Sequence, residues 1–428
     1  MTRRKFMRKV IILLAIILMS QNSSVIAQVQ DATLNNLIEK AIEVSPKLEA
    51  LKNKQLAAEA EVPQVSNLPD PMLTLGLANL PTNSFSFTQE PMTGKIVGLS
   101  QAVPFPGKLN AMGNVKSKNS EIIQQEIDDT INEIRMQVAK NYYDLANVRE
   151  TIEVTLESKR LLESITQVVK TKYQVSKASQ QNLIQVQAEI TRIEDKLKKL
   201  ESKERTLISN INALILENSN AGINTSKLKA IAAKKFTVNY LDSLAREYRP
   251  FLKGVKLREE QTVLMKDLAE YEFYPNFNLR IQYSQRDEIA RTNTDLNDFL
   301  SFMVGISLPI NYGGKKSAAV EEAELKRKMF ESQYESARQM LFQKFGSSIS
   351  SLQELEEREE LIANGLLPQT EQTYYAAMSA YQVNEIDFIN VLDAQNKLLQ
   401  VEIELFNIRS EYYKEISNIE FLVGTDIK

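Results

Sequence analysis

Apolar positions along the chain follow two periods, and the switch between them occurs twice. Phe277, Leu279, Ile281 and Tyr283 alternate with Asn276, Asn278, Arg280, Gln282 and Ser284. A second run alternates Leu300, Phe302, Val304, Ile306 and Leu308 with Ser301, Met303, Gly305 and Ser307. A period of two predicts strands, apolar on one face and polar or small on the other. A weaker version occupies Leu73, Leu75 and Leu77, then Val97, Leu99 and Val103. Two structures satisfy this alternation: a sheet with one face on a core, or a membrane barrel with its apolar face outward.

After each strand pair the spacing becomes helical. Ile193, Leu197, Leu200, Leu207, Ile211 and Leu214 recur at coiled-coil spacing, and Val391, Leu398 and Leu405 recur every seven residues. No proline occurs between Pro106 and Pro250, and Gly113 is the one glycine within 108–217. Lys108 to about Lys172 therefore reads as a single helix, roughly 100 Å long at 1.5 Å per residue. Lys315 to Ala380 predicts its counterpart, kinked at Pro368. Shorter helices are expected from Leu34 to about Glu61 and from Asn239 to Tyr271. The polar positions are filled by Glu, Lys, Gln, Asn and Ser, so most of each long helix faces water. Such helices cannot fold back into a globule and imply an extended assembly.

The two alternating regions belong to an internal repeat. Ile96-Val-Gly-Leu-Ser-Gln-Ala-Val-Pro-Phe-Pro-Gly-Lys108 aligns without gaps on Met303-Val-Gly-Ile-Ser-Leu-Pro-Ile-Asn-Tyr-Gly-Gly-Lys315, with five of 13 positions identical. At an offset of 208, Tyr173-Gln-Val falls on Tyr381-Gln-Val, Asn182 on Asn390 and Gln187 on Gln395. Pro46 pairs with Pro250 and Pro69 with Pro275 at nearly the same offset. The first copy covers 28–236, with strands at about 70–104 and long helices at about 108–217. The second covers 237–428, with strands at about 275–309 and long helices at about 315–420.

Composition narrows the chemistry. Arg3, Arg4, Lys5, Arg8 and Lys9 precede the apolar run Val10 to Met19, and small residues end at Ala27. This is the pattern of an export signal over 1–27. A membrane anchor is the competing reading, but a ten-residue run falls short of the roughly 20 residues that span a bilayer. Without the leader's five cations, the 47 remaining Lys and Arg face 55 Asp and Glu, a net charge of −8. An acidic exported chain does not suit nucleic acid. The chain has no Cys, His or Trp. That excludes disulfides, a lipid anchor on an N-terminal Cys, Cys/His zinc sites and His-based acid–base catalysis. No Gly-rich phosphate loop, nucleophile–base pair or metal-ligand cluster is present, and the 12 Met are scattered. No catalytic, cofactor-binding or metal residue is assigned, and no enzyme is expected.

Four strands cannot enclose a useful bore, because even an eight-stranded barrel is filled by its own side chains. If the strands form a barrel, several chains share it, and the barrel continues into a ring of helices as a duct. At this point the chain resembles the TolC-type outer-membrane efflux proteins over essentially its whole mature length. The residues that carry the resemblance are Leu68-Pro-Asp-Pro71, Ser100-Gln-Ala-Val-Pro-Phe-Pro-Gly-Lys108 and Tyr381-Gln-Val through Val391-Leu-Asp-Ala394. The Pro-Asp-Pro and Pro-Phe-Pro-Gly-Lys elements look most like the cobalt–zinc–cadmium branch. The resemblance implies a mainly α fold with membrane β: a homotrimer whose 12-stranded shared barrel in outer-membrane lipid continues into a periplasmic α-helical coiled-coil tunnel. It also implies docking to a periplasmic adaptor and an inner-membrane pump, often of the resistance–nodulation–division class, with metal ions or drugs as cargo.

The same resemblance assigns working residues. Tyr173, Val175 and Ser176, and their mates Tyr381, Val383 and Asn384, would form the helix tips that meet the adaptor. Asp393 matches a position whose carboxylates ring the closed periplasmic gate, where they would favour cations and resist tight closure. Asn390 and its mate Asn182 stand where the family often has another acid, which predicts a weaker acidic constriction. The glycine usual after the tip Val is replaced by Ser176 and Asn384. Other readings stay open: Asp393 as a solvated helix residue, the two tyrosines as packing residues, and Glu354-Leu-Glu-Glu-Arg-Glu-Glu360 as a solvated helix face. An exported coiled-coil tether without a pore is the alternative function; it leaves the duplicated strand pairs unexplained.

Overall fold

A computed structural model describes residues 33–427. The leader at 1–27 and its cleavage after Ala27 lie outside the described residues. The helices are α1 (33–44), α2 (Pro46–Ser66), α3 (Lys108–Gln174), α4 (Gln180–Leu214), α5 (Val238–Tyr248), α6 (Pro250–Glu270), α7 (Lys315–Leu361), α8 (Leu367–Gln382) and α9 (Phe388–Val423). The strands are β1 (Met72–Ala78), β2 (Gly94–Val103), β3 (Phe277–Gln285) and β4 (Phe299–Ile306).

Each opening helix is two helices rather than one. The pattern predicts continuous runs over 34–61 and 239–271, but the chain breaks at Ser45 and at Arg249, which is extended with φ −68° and ψ 113°. The residue after each break is a proline, Pro46 or Pro250. Proline opens a helix well because its missing N–H is not needed there, and it drives the preceding residue out of the α region. The break expected at Pro368 takes a different form. A π-turn, Ile362–Leu366, joins α7 to α8 and widens the helix just where the proline ring would clash with the carbonyl four residues earlier.

The chain packs as two compact units, each drawn from both halves of the sequence. In the first (residues to 49, 128–250 and from 338), the apolar stripes of α3, α4, α8 and α9 interlock. Leu162, Ile165, Val169, Val186, Ile193, Leu197, Tyr374 and Leu399 are all buried in one cluster. The connection from 215 to 237 has no regular structure but is pinned to α3: Ser226 N–H donates to the Tyr142 hydroxyl at 3.1 Å, and Leu228 N–H donates to the Glu150 carboxylate. The acidic run at 354–360 is not wholly a solvated face. Glu359 is buried and accepts two bonds from Arg409, at 2.9 and 3.0 Å.

In the second unit (50–127 and 251–337) the strands form one antiparallel sheet in the order β1-β2-β3-β4. Its register aligns Leu73, Leu99, Ile281 and Phe302 in one row and Leu75, Val97, Tyr283 and Leu300 in the next. The Pro-Phe-Pro-Gly-Lys motif turns β2 into α3. Gly107 sits at φ +93°, and a Cβ there would lie 2.5 Å from the Tyr271 hydroxyl. Phe105 stacks on Tyr274 at 4.6 Å, and Lys108 pairs with Glu272 at 2.7 Å. The motif is thus a corner of the fold.

Candidate functional site: an uncovered sheet and two helical tips

The sheet decides between the two readings of its alternation. Among the described residues no core covers the apolar face: Leu75 is 69% exposed, Phe302 74% and Val304 64%. Leaving such side chains in water forgoes about 1.5–3 kcal/mol each, so water is not the solvent this face is built for. The opposite face carries Thr74, Gly98, Ser100, Asn278, Arg280, Gln282, Ser301 and Gly305. β1 and β4 each pair on one side only, so the sheet has two open edges among the described residues. No helix among the described residues is long and apolar enough to cross a membrane.

The helical tips lie in the first unit. α3 ends and α4 begins across 175–179; α8 ends and α9 begins across 383–387. Both turns close alike. Ser176 and Asn384 take left-handed φ values of 60° and 66°, supplying with a side chain what glycine usually supplies. Lys177 N–H donates to the Lys172 carbonyl at 2.7 Å, and Glu385 N–H donates to the Ala380 carbonyl at 2.9 Å. Val175 and Val383 are both exposed. Ser179 caps α4, its hydroxyl accepting from Asn182 N–H at 3.3 Å. Asp387 precedes α9 in extended conformation, and Asn390 N–H donates to its carbonyl at 3.1 Å.

Beyond the backbone the tips differ. Tyr173 is 45% exposed, whereas its mate Tyr381 is 4% exposed and packs on Phe388 with ring centroids 5.4 Å apart. Over the Tyr381 ring, at 4.3 Å, lies the ammonium of Lys172 from the end of α3. It donates to the Tyr381 carbonyl and, at 2.7 Å, to the Asn384 Oδ1. Burial draws the Lys172 ammonium below its ordinary range, helped by Lys177, while its two oxygen acceptors favour the charged form. Burial raises the Tyr381 hydroxyl, with the Asn182 amide acting in the opposite direction. Sequence reasoning missed Lys172. The available signal was a departure from the repeat: beside two matched tyrosines, Lys172 stands opposite Ala380.

Asp393 is exposed and pairs with Lys397 one turn on, at 2.6 Å. Its carboxylate is therefore partnered within its own helix. Asn390 is exposed and Asn182 half-buried. Among the described residues no group of His, Cys, Asp or Glu could hold a metal ion.

An uncovered amphipathic sheet attached to long paired helices defines the class of an oligomeric membrane duct. The chain belongs to the outer membrane efflux protein family, whose model matches residues 37–212 and 241–425. That family is a transport conduit and places the chain in the outer membrane with a periplasmic helical tunnel. The fold is similar to that of the outer membrane protein VceC from Vibrio cholerae (TM-score 0.77, 19% identity, 93% of this chain and 98% of that one). It is likewise similar to CusC, whose structures describe transmembrane channel formation (0.76, 16%, 92% of each chain). A third similar structure is the Campylobacter jejuni CmeC outer membrane channel (0.73, 15%, 92% and 85%). No curated protein sequence matches the chain.

Proposed function

We propose that three copies of this chain share one 12-stranded barrel and act as the passive exit duct of a tripartite efflux system. The observation that carries the reading is the sheet with an uncovered apolar face and two open edges. β4 of one copy pairing with β1 of the next would satisfy every edge, as lipid requires. The tips at Tyr173, Val175 and Ser176 and at Tyr381, Val383 and Asn384 then dock a periplasmic adaptor, and Asp393, Asn390 and Asn182 line the periplasmic gate. The energy comes from an inner-membrane pump of the resistance–nodulation–division class. The heavy-metal branch is our reading of cargo, and it rests on Pro69-Asp-Pro71 and Pro104-Phe-Pro-Gly-Lys108. The second of these is a structural corner, so the motif marks ancestry rather than a place where metal is held. The cargo ion needs no resident ligand cluster in a duct whose pump has already selected it.

Single-channel recording of the purified protein in a planar bilayer tests the duct. Stable conductance steps are expected, and their absence from well-folded protein would favour the tether. Loss of zinc or cobalt tolerance in a deletion strain, restored by the gene, is the expected result for the metal branch; unchanged metal tolerance with lost drug tolerance would move the cargo to drugs.

A further inference from the structure

Within the strands the polar face of the sheet carries a single charge, Arg280; beyond the end of β3 the Arg286 guanidinium lies over the Phe299 ring at 3.6 Å. Register assigns to that face Met72, Thr74, Gly76 and Ala78 from β1, and Gly94, Ile96, Gly98, Ser100 and Ala102 from β2. β3 and β4 add Asn278, Arg280, Gln282 and Ser284, then Phe299, Ser301, Met303 and Gly305. No strand carboxylate faces Arg280, and the guanidinium forms no ion pair among the described residues. Lys95, at the rim of the opposite face, is by contrast neutralised by Asp287 at 3.2 Å.

Arg280 is also short of acceptors. It reaches over the intervening strand, past Gly98 and Ser100, to give one bond from Nη2 to the neutral Thr74 hydroxyl at 3.3 Å. Its Nε–H is shielded from solvent and has no partner. A guanidinium has five N–H donors in a planar fork matched to oxyanions. Here most remain available, on a surface of hydroxyls, amides and small residues interrupted by Met72, Ile96, Phe299 and Met303, the last directly opposite Arg280.

We infer that Arg280 is an anion site on the lumen wall of the barrel, recruiting carboxylate-, phosphate- or sulfate-bearing solutes into the outer half of the duct. The inference rests on the shared-barrel reading, which turns this face to water and repeats the guanidinium at one level around the axis. A ring of arginines with no counter-charge favours anions. It therefore opposes, within the strands, the cation preference that Asp393 was expected to confer at the gate.

The absence of Cys permits a direct test with single cysteines in outer-membrane vesicles. Ser301→Cys sits on the polar face, diagonal to Arg280, and Phe302→Cys sits on the apolar face. Each is reacted with an anionic and with a cationic methanethiosulfonate. Ser301→Cys is expected to react and Phe302→Cys to be protected by lipid. The anionic-to-cationic rate ratio at Ser301→Cys should fall about three- to tenfold with Arg280→Gln and be kept by Arg280→Lys, as expected for one charge roughly 7 Å away in water. An unchanged ratio with Phe302→Cys still protected overturns the anion site and leaves the barrel standing. Equal reactivity at both cysteines overturns the barrel reading itself.

Discussion

The two tips share the sequence Tyr-Gln-Val, a left-handed residue and the same pair of closing hydrogen bonds, yet one is free and the other is held. The first turn ends in an exposed tyrosine. The second is clamped by Lys172, which crosses from the opposite hairpin to satisfy a helix-end carbonyl and the side chain of the left-handed residue. A cation at a helix C-terminus is favourable, and bonding to a charged donor contributes more than a neutral bond. Repetition of local sequence thus fixed the turn geometry, while one unrepeated residue adds a clamp to the second tip. If both tips dock an adaptor, the second presents a fixed surface and the first an adaptable one.

The largest expected effect removes that difference. Lys172→Met keeps the aliphatic stem and deletes the ammonium, leaving two acceptors unpaired at a cost of about 2–3 kcal/mol. Hydrogen exchange should accelerate at least about tenfold at Glu385 N–H, since 1.4 kcal/mol is one decade. Exchange within Gln174 to Ser179 should hardly change. Equal acceleration at both tips would mean that Lys172 supports the bundle as a whole.

Farther along the hairpins the contact changes sign. Glu402 on α9 is pushed up to about 7, first by burial and then by the Glu157 and Glu371 carboxylates on α3 and α8. The folded chain therefore favours the protonated form. This contribution is fully present below the ordinary carboxylate range and is lost as pH rises through about 7. Between pH 5 and 8, Glu402→Gln should reduce the fall of unfolding free energy with pH by about 1–2 kcal/mol after allowing for its partial exposure, read as a flatter pH dependence of Tm. Glu420, raised to about 7 mainly by burial, keeps the remaining slope, so the difference between variant and parent is the quantity to read.

Glycine at the left-handed position gives a smaller effect whose sign differs between the tips. Ser176→Gly relieves a conformation that L residues avoid and should stabilise the first turn by about 0.5–1 kcal/mol, slowing exchange at Lys177 N–H. Asn384→Gly relieves less, because Asn tolerates this region, and it deletes one of the two acceptors of Lys172. Exchange at Glu385 N–H should quicken. The same sign at both sites would show that the Lys172–Asn384 bond contributes nothing.

The local devices were legible because local sequence sets them. Alternation placed the strands, and the Tyr-Gln-Val repeat marked the tips. The breaks at Ser45 and Arg249 were hidden because apolar spacing continues across them, although the prolines that cause them stood in plain view. The contrast between Tyr173 and Tyr381 was not legible. It is produced by a contact 209 residues apart in the chain, and no period reports such a contact. The unsatisfied state of Arg280 was equally hidden. None of the four strands contains Asp or Glu, so the lack of a strand carboxylate was legible; only the register shows that the one bond Arg280 makes reaches Thr74 across β2.

Asp393 gives the smallest and most discriminating comparison. Its mate in the first copy is Gln185, so any charge at this level comes from the second hairpin alone. The Lys397 ammonium, 2.6 Å away, makes an exposed pair worth about 0.3–0.5 kcal/mol to the helix. Stability will therefore barely move in either variant, and conductance is the measurement that decides. If the carboxylate lines a gate, Asp393→Ala should lower resting conductance and cation preference, because it removes the like charges that resist tight closure. Lys397→Ala should leave that charge unscreened and increase cation preference. Opposite shifts in the two variants place the pair on the conduction path; no shift in either makes it a surface ion pair, and the gate must then be sought among the buried residues of α9.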